Sequence, residues 1–100
     1  MDDGQVLELV LRTIREEADD LDYPGFRDVK PDTLLYGGDG GIDSLSLVRL
    51  VVAIEAAVAK QFGRRIALVD EKALSMRSSP FRTAGTLAQL LSERLGLVHA

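Results

Sequence analysis

A small all-α bundle, three long helices plus one short helix, is the fold predicted by three observations. Apolar residues recur at helical spacing in three separate segments, residues 5–21, 44–62 and 83–95. No segment sustains the alternation of a half-buried strand, and "RIALV", Arg65 to Val69, is only a weak candidate. Hydrophobic content of 46% over 100 residues, with no cysteine, fits one packed domain without disulfides. Residues 1–100 are read as that single domain, with an ordered core over about residues 4–96.

The first helix is expected over residues 5–21. Val6, Leu7, Val10, Leu11, Ile14, Ala18 and Leu21 lie three and four apart. Asp2 or Asp3 can cap its start, and an acid there suits the positive end of the helix dipole. Glu16, Glu17, Asp19 and Asp20 crowd its last turns, where the dipole disfavours them, and "YPG" from Tyr23 completes the stop. Residues 22–43 show no period and read as loop. Leu34, Leu35 and Tyr36 are expected to pin its middle to the core, and Pro31-Asp32-Thr33 can start one helical turn. A connection this long in a compact domain points to function.

The strongest helix is expected at 44–62, where Leu47, Leu50, Val51, Ile54, Val58 and Phe62 form one stripe and Gly63 terminates it. Val48, Val52 and Ala56 lie beside that stripe. So broad an apolar surface is either deeply buried or offers a flank to a partner. "VDEKALSM", Val69 to Met76, is the short helix, begun by Asp70 and broken by "RSSP". The last helix carries Leu87, Leu90, Leu91 and Leu95 inward, with Thr83 as cap and Gly96 as end.

Several function classes are disfavoured. Without cysteine there is no thiolate metal site and no cysteine nucleophile. The single histidine, His99, is next to the last residue, so a histidine-based catalytic pair is not expected. No cluster of side chains suggests a metal. The stretch Leu45 to Ala59 is too short, and too interrupted by Ser46, Arg49 and Glu55, to span a bilayer. "MDDGQ" lacks a basic region, so no secretory signal is read and the cytoplasm is the expected location. Net charge of −4 disfavours nucleic acid. That charge is lopsided, with twelve acids and four bases in residues 1–44 against four acids and eight bases in residues 45–100. Segregation of this kind belongs either to solvated surface or to an electrostatic docking face.

The chemistry concentrates in "GGDGGIDSLSLVRLVVAIEAAV", Gly37 to Val58. Asp43 or Ser44 can cap the helix that follows. Nucleophilic catalysis by Ser44 would need a base, yet no suitable histidine exists and Lys60 is four turns away. "GIDSL" is not the G-x-S-x-G elbow of hydrolases. "DGGID" lacks the acids of a calcium loop, and "GGDGG" contains no phosphate loop. One use of the hydroxyl needs no catalytic apparatus: attachment of a phosphate-bearing group by a separate enzyme. A helix N-terminus favours the resulting anion. The glycines of residues 37–41 would leave the approach open, and the apolar helix gives an attached chain a place to rest.

"GIDSLSLVRLVVAIE" resembles the phosphopantetheine-attachment segment of acyl carrier proteins, whose core is Asp-Ser-Leu at the start of an apolar helix. The resemblance implies that Ser44 carries a 4′-phosphopantetheine arm whose thiol holds acyl groups as thioesters. Gly41, Ile42, Asp43 and Leu45 complete the attachment motif. Leu45, Ser46, Val48, Arg49 and Val52 fall on the helix that family partners grip. The order of helices and loop also matches, so the likeness covers nearly the whole chain. "SPFRTAGTLAQLL" resembles the entry to the family's last helix, with Phe81 and Ala84 in packing positions.

The chain departs from the general fatty-acid carriers in three ways. Ser46 and Arg49 stand where those carriers keep acids, and Ala56 and Ala57 follow Glu55. The serine helix is about a turn longer, and the stretch from Gly63 to Pro80 is extended. "IALVDEKALSMRSSPFRTAGTLAQLL" looks like a subgroup of free-standing carriers with dedicated partners, in fatty-acid or secondary-metabolite biosynthesis. The implied partners are a phosphopantetheinyl transferase, an acyl-loading ligase or transferase and acyl-processing enzymes. The chain itself is expected to be a monomer and not an enzyme. Two alternatives share the fold: an amino-acyl or peptidyl carrier, and an unmodified interaction module. Amino-acyl carriers often place Gly-Gly close before the motif, whereas here Gly40-Gly41 are followed by Ile42, which leans towards acyl cargo.

Overall fold

In the computed structural model, residues 3–36, 41–66 and 81–96 are described. Three α-helices stand among them: α1 (Asp3–Glu17), α2 (Ser44–Phe62) and α3 (Ala84–Arg94). No strand occurs in these segments, only one isolated antiparallel bridge between Leu34 and Thr83. Helix α1 packs on both α2 and α3, and its end meets a 3-10 helix at Pro24–Asp28.

The core face of α1 is Val6, Leu9, Val10, Thr13 and Ile14. This corrects the expected stripe. Leu9 is fully buried, whereas Leu7 and Leu11 are half-buried at the rim. Thr13 belongs to the core because its hydroxyl donates to the Leu9 carbonyl at 2.8 Å, and among the described residues no buried side-chain nitrogen or oxygen lacks a partner. The helix starts at Asp3, inside the first turn rather than as a cap, and ends at Glu17 instead of 21. Residues 18–22 turn, with Asp22 in the left-handed region at φ 55°. Aspartate tolerates that conformation better than bulkier residues do. Ala18 is nevertheless buried and Leu21 packs on the core, as their spacing suggested.

The 3-10 helix falls where loop was expected. Pro24 presets the backbone for a helical start, and Phe26 drives the turn by burying completely. Tyr23 covers it, with ring centroids 4.4 Å apart. Asp19 and Arg27 pair outside. Pro31-Asp32 forms a turn and not a helix. Leu35 is buried, with Leu34 and Tyr36 half-buried, so the loop is pinned as expected.

Helix α2 buries Leu47, Leu50, Val51, Ile54 and Val58 completely, and Phe62 packs at the edge. Gly63 ends it at φ 67°, its N–H donating to the Ala59 carbonyl. Helix α3 buries Ala84, Leu87, Ala88 and Leu91, with Leu90 at the rim, and Phe81 buries just before it. Thr83 and Thr86 form a reciprocal capping box. Gly96 follows its end at φ 78°. The expected short helix at 69–76 and "RSSP" lie outside the described residues. Of "RIALV", Arg65 and Ile66 adopt neither helix nor strand, and the rest is likewise outside.

Candidate functional site

The start of α2 is built from the loop that precedes it. Ile42 is buried at the position before the cap, and Leu47, four residues into the helix, is buried in the same cluster. That spacing is the hydrophobic staple, which fixes the angle of chain entry. The Ile42 N–H donates to the Leu35 carbonyl at 2.8 Å. Gly41 permits this close approach. A Cβ there would lie 3.1–3.3 Å from Leu35 O, Tyr36 Cα and Tyr36 N. Gly41 is therefore a packing glycine, not one that keeps the approach open. Gly37 to Gly40 lie outside the described residues.

Leu35 is tied in turn to the start of α3. Its N–H donates to the Arg82 carbonyl at 2.6 Å. The strap 31–35 also closes the N-terminus of α3. Pro31 O accepts from the Gly85 N–H at 2.7 Å and Thr33 O from the Ala84 N–H at 3.3 Å, while Thr83 supplies the acceptors for Thr86 and Leu87. A continuous series of backbone bonds thus runs from α3 through Leu35 to Ile42, the residue before the cap of α2.

Asp43 is that cap. Its backbone is extended, and its carboxylate accepts from the Ser46 N–H at 2.7 Å, while its carbonyl takes the Leu47 N–H at 2.9 Å. The Ser46 backbone bond, followed by the Ser46 side chain, holds the Asp43 carboxyl below the usual aspartate range against an opposing desolvation, with a smaller part from the Leu45 N–H. Ser44 is the first residue of α2, directly after that cap.

The residues expected at a partner interface separate into two groups. Leu45 is 81% exposed and Val52 53% exposed, with Arg49 exposed between them. Val48 and Ser46 are half-buried, on opposite flanks of that line. Ala56, expected beside the stripe with Val48 and Val52, is exposed in register with the line, and so is Lys60, which the apolar spacing did not single out.

A half-open groove of about 410 Å³ lies elsewhere, between α1 and α2, lined by Arg12, Thr13, Glu16, Ala57, Lys60 and Gln61. Arg12 crosses it to Gln61 and also meets Glu16. Ala57 is thirteen residues along α2 from Ser44, roughly 20 Å at the helical rise. The groove is therefore not part of the site at the start of α2.

Among the described residues no three His, Cys, Asp or Glu side chains gather as a metal-ligand group, and no helix is long and apolar enough to cross a membrane. No family model, curated protein or solved structure matches the chain.

Proposed function

We propose that the protein is an acyl carrier, with Ser44 as the attachment point of a 4′-phosphopantetheine arm. The observation that carries this reading is the division of roles at the start of α2. Asp43 caps the helix, so the serine beside it is not needed for that purpose.

The residues present fit such a group. A phosphodiester on Ser44 would sit at the positive end of a nineteen-residue helix, where first-turn N–H groups favour an anion. The staple and the backbone ties through Leu35 hold that end in place. When bound, the arm supplies a thiol that holds acyl groups as thioesters. The chain contributes the anchoring hydroxyl, the helix end and an adjoining exposed face for the enzymes that load and process the cargo.

Mass spectrometry tests the proposal. The full chain is treated with coenzyme A and a broad-specificity phosphopantetheinyl transferase, and peptide mapping should place the single added group on Ser44. Ser44→Ala should keep its helix, because the Asp43 cap is intact, and should accept no arm. Addition at another serine, or full addition to Ser44→Ala, would overturn the proposal.

A further inference from the structure

The solvent-facing line of α2 has an unusual composition. Leu45, Arg49, Val52, Ala56 and Lys60 are all exposed. At about 100° per residue they fall within an arc of roughly 80°. Leu45 and Val52 are the exposed large hydrophobic residues among those described. The line holds two cations and no acid. Glu55 is half-buried and lies off it, and the Asp43 carboxylate before it is committed to the Ser46 N–H. Neither Arg49 nor Lys60 makes an ion pair among the described residues. Arg64 and Arg65 extend the positive charge just past the helix end, both exposed. All this stands on a chain of net charge −4.

Three kinds of occupant can cover such a line. A second copy fits poorly. The line is about 22 Å long and one side chain wide, well short of the ~800 Å² per partner typical of a stable complex. Two such lines face to face would also oppose cations with no acid to answer them. A membrane surface fits poorly too, because interfacial helices bury a wide apolar face. Here two large apolar side chains are separated by Arg49, Val48 beside them is only half-exposed, and Leu47, Leu50, Val51, Ile54 and Val58 are committed to the core. The arrangement fits a protein surface met briefly.

We propose that this line docks an acidic protein surface with two apolar pockets about 10 Å apart, the axial spacing of Leu45 and Val52, and with carboxylates opposite Arg49 and Lys60. The apolar pair sets the register, while the cations steer the encounter and reject basic surfaces. The inference deepens the carrier reading by naming the chemistry of its partners at the face beside Ser44, and it rests on that reading for its purpose. The binding itself does not require the arm.

The experiment therefore uses the ¹⁵N-labelled full chain carrying Ser44→Ala. The probe is a helical peptide with leucines at seven-residue spacing flanked by glutamates, and its twin has every glutamate replaced by lysine. The glutamate peptide should shift the amides of Leu45, Arg49, Val52 and Lys60. Its affinity should exceed that of the lysine twin at least tenfold and fall as salt rises. Arg49→Glu combined with Lys60→Glu should reverse the preference, and Leu45→Ser should weaken binding to either chain without unfolding it, since Leu45 is exposed. Equal binding of the twins, shifts confined to α1 or α3, tighter binding to phosphatidylserine vesicles through this face, or sedimentation showing self-association through it would overturn the inference. Loading of Ser44 in the unaltered chain is read separately, so failure of docking and failure of the carrier reading are distinct results.

Discussion

Gly85→Ala sets two effects of opposite sign against each other. Gly85 is the second residue of α3, and alanine is preferred to glycine in a helix by about 0.5–1 kcal/mol. Taken alone, the substitution would stabilise. An added Cβ, however, would stand 2.9 Å from the Pro31 carbonyl oxygen, several tenths of an ångström inside normal contact. That oxygen cannot retreat freely. It accepts the Gly85 N–H at 2.7 Å, and its strap is tied again through Thr33 to Ala84 and through Leu35 to Arg82. Overpacking of this kind costs about 1–3 kcal/mol. Loss of the hydrogen bond adds about 0.5–1.5 kcal/mol. The clash wins, and the net loss should be about 0.5–4 kcal/mol.

Urea unfolding followed by circular dichroism measures it, with an unchanged slope indicating that only stability moved. Gly25→Ala is the matched control. Its Cβ would meet the Tyr23 ring at 3.6 Å, an ordinary contact, so it should be neutral or gain up to about 1 kcal/mol from a stiffer unfolded chain. The strap also leads through Leu35 to Ile42 and the Asp43 cap, so Gly85→Ala should slow arm transfer to Ser44 under conditions where the chain remains folded. If Gly85→Ala is as stable as the unaltered chain, the strap is soft and does not hold the start of α2.

Ile54→Ala should cost about 2–5 kcal/mol in the same unfolding assay, because the side chain is fully buried in the cluster shared by the three helices; a loss under about 0.5 kcal/mol would mean that α1 does not pack there. Asp43 gives a pH signature: its folded-state pKa is depressed, so its contribution is present above the ordinary aspartate value and is lost as pH falls through the lower folded value. Asp43→Asn keeps the cap without titrating there, so the stability of the unaltered chain relative to this variant should decline below about pH 4, and parallel pH profiles would contradict the assignment. On the carrier reading, the loaded protein should be a poor substrate for general fatty-acid synthase enzymes, and Arg49→Glu with Ser46→Asp should improve it with stronger salt dependence; elongation of the unaltered chain as fast as a general carrier would refute the specialised reading.

Helix α2 was legible in the sequence because every local signal agreed: an unbroken apolar stripe, an acid-serine start and a glycine end. Helix α1 was legible as a helix but not in its rotation. Leu9 sits between the more conspicuous pairs of its neighbours. Thr13 counts as polar in any pattern, yet its hydroxyl is satisfied one turn back at the Leu9 carbonyl. The early end at Glu17 was written in the acids, but Ala18 and Leu21 kept helical spacing because the turn returns both to the core. Pro24 was read as a breaker although it also starts a helix well, and the burial of Phe26 decides between the two. At the site, Asp43 and Ser44 are both good caps by type, so only geometry could separate them. Which flank of α2 stays wet depends on where α1 lies, which no spacing within α2 can state.

The position of the charge bears on how the α2 face operates. Among the bases of residues 1–44, Arg12, Arg15 and Arg27 meet acids of the same half, at Glu16, Glu8 and Asp19. Those pairs are exposed and contribute little to stability, but they leave that half's excess of acid uncompensated. The cations of α2 have no such partners among the described residues. At physiological salt, charges separated by more than about 8 Å are largely screened from one another. A surface approaching Leu45 and Val52 therefore responds most to Arg49, which lies between them on α2, and only weakly to the net charge of −4. Net charge would predict a basic partner, whereas the local field at the exposed apolar face favours an acidic one. On the docking proposal, contact is decided at the shorter range, and the lopsided sequence charge serves as a docking polarity rather than as evenly solvated surface.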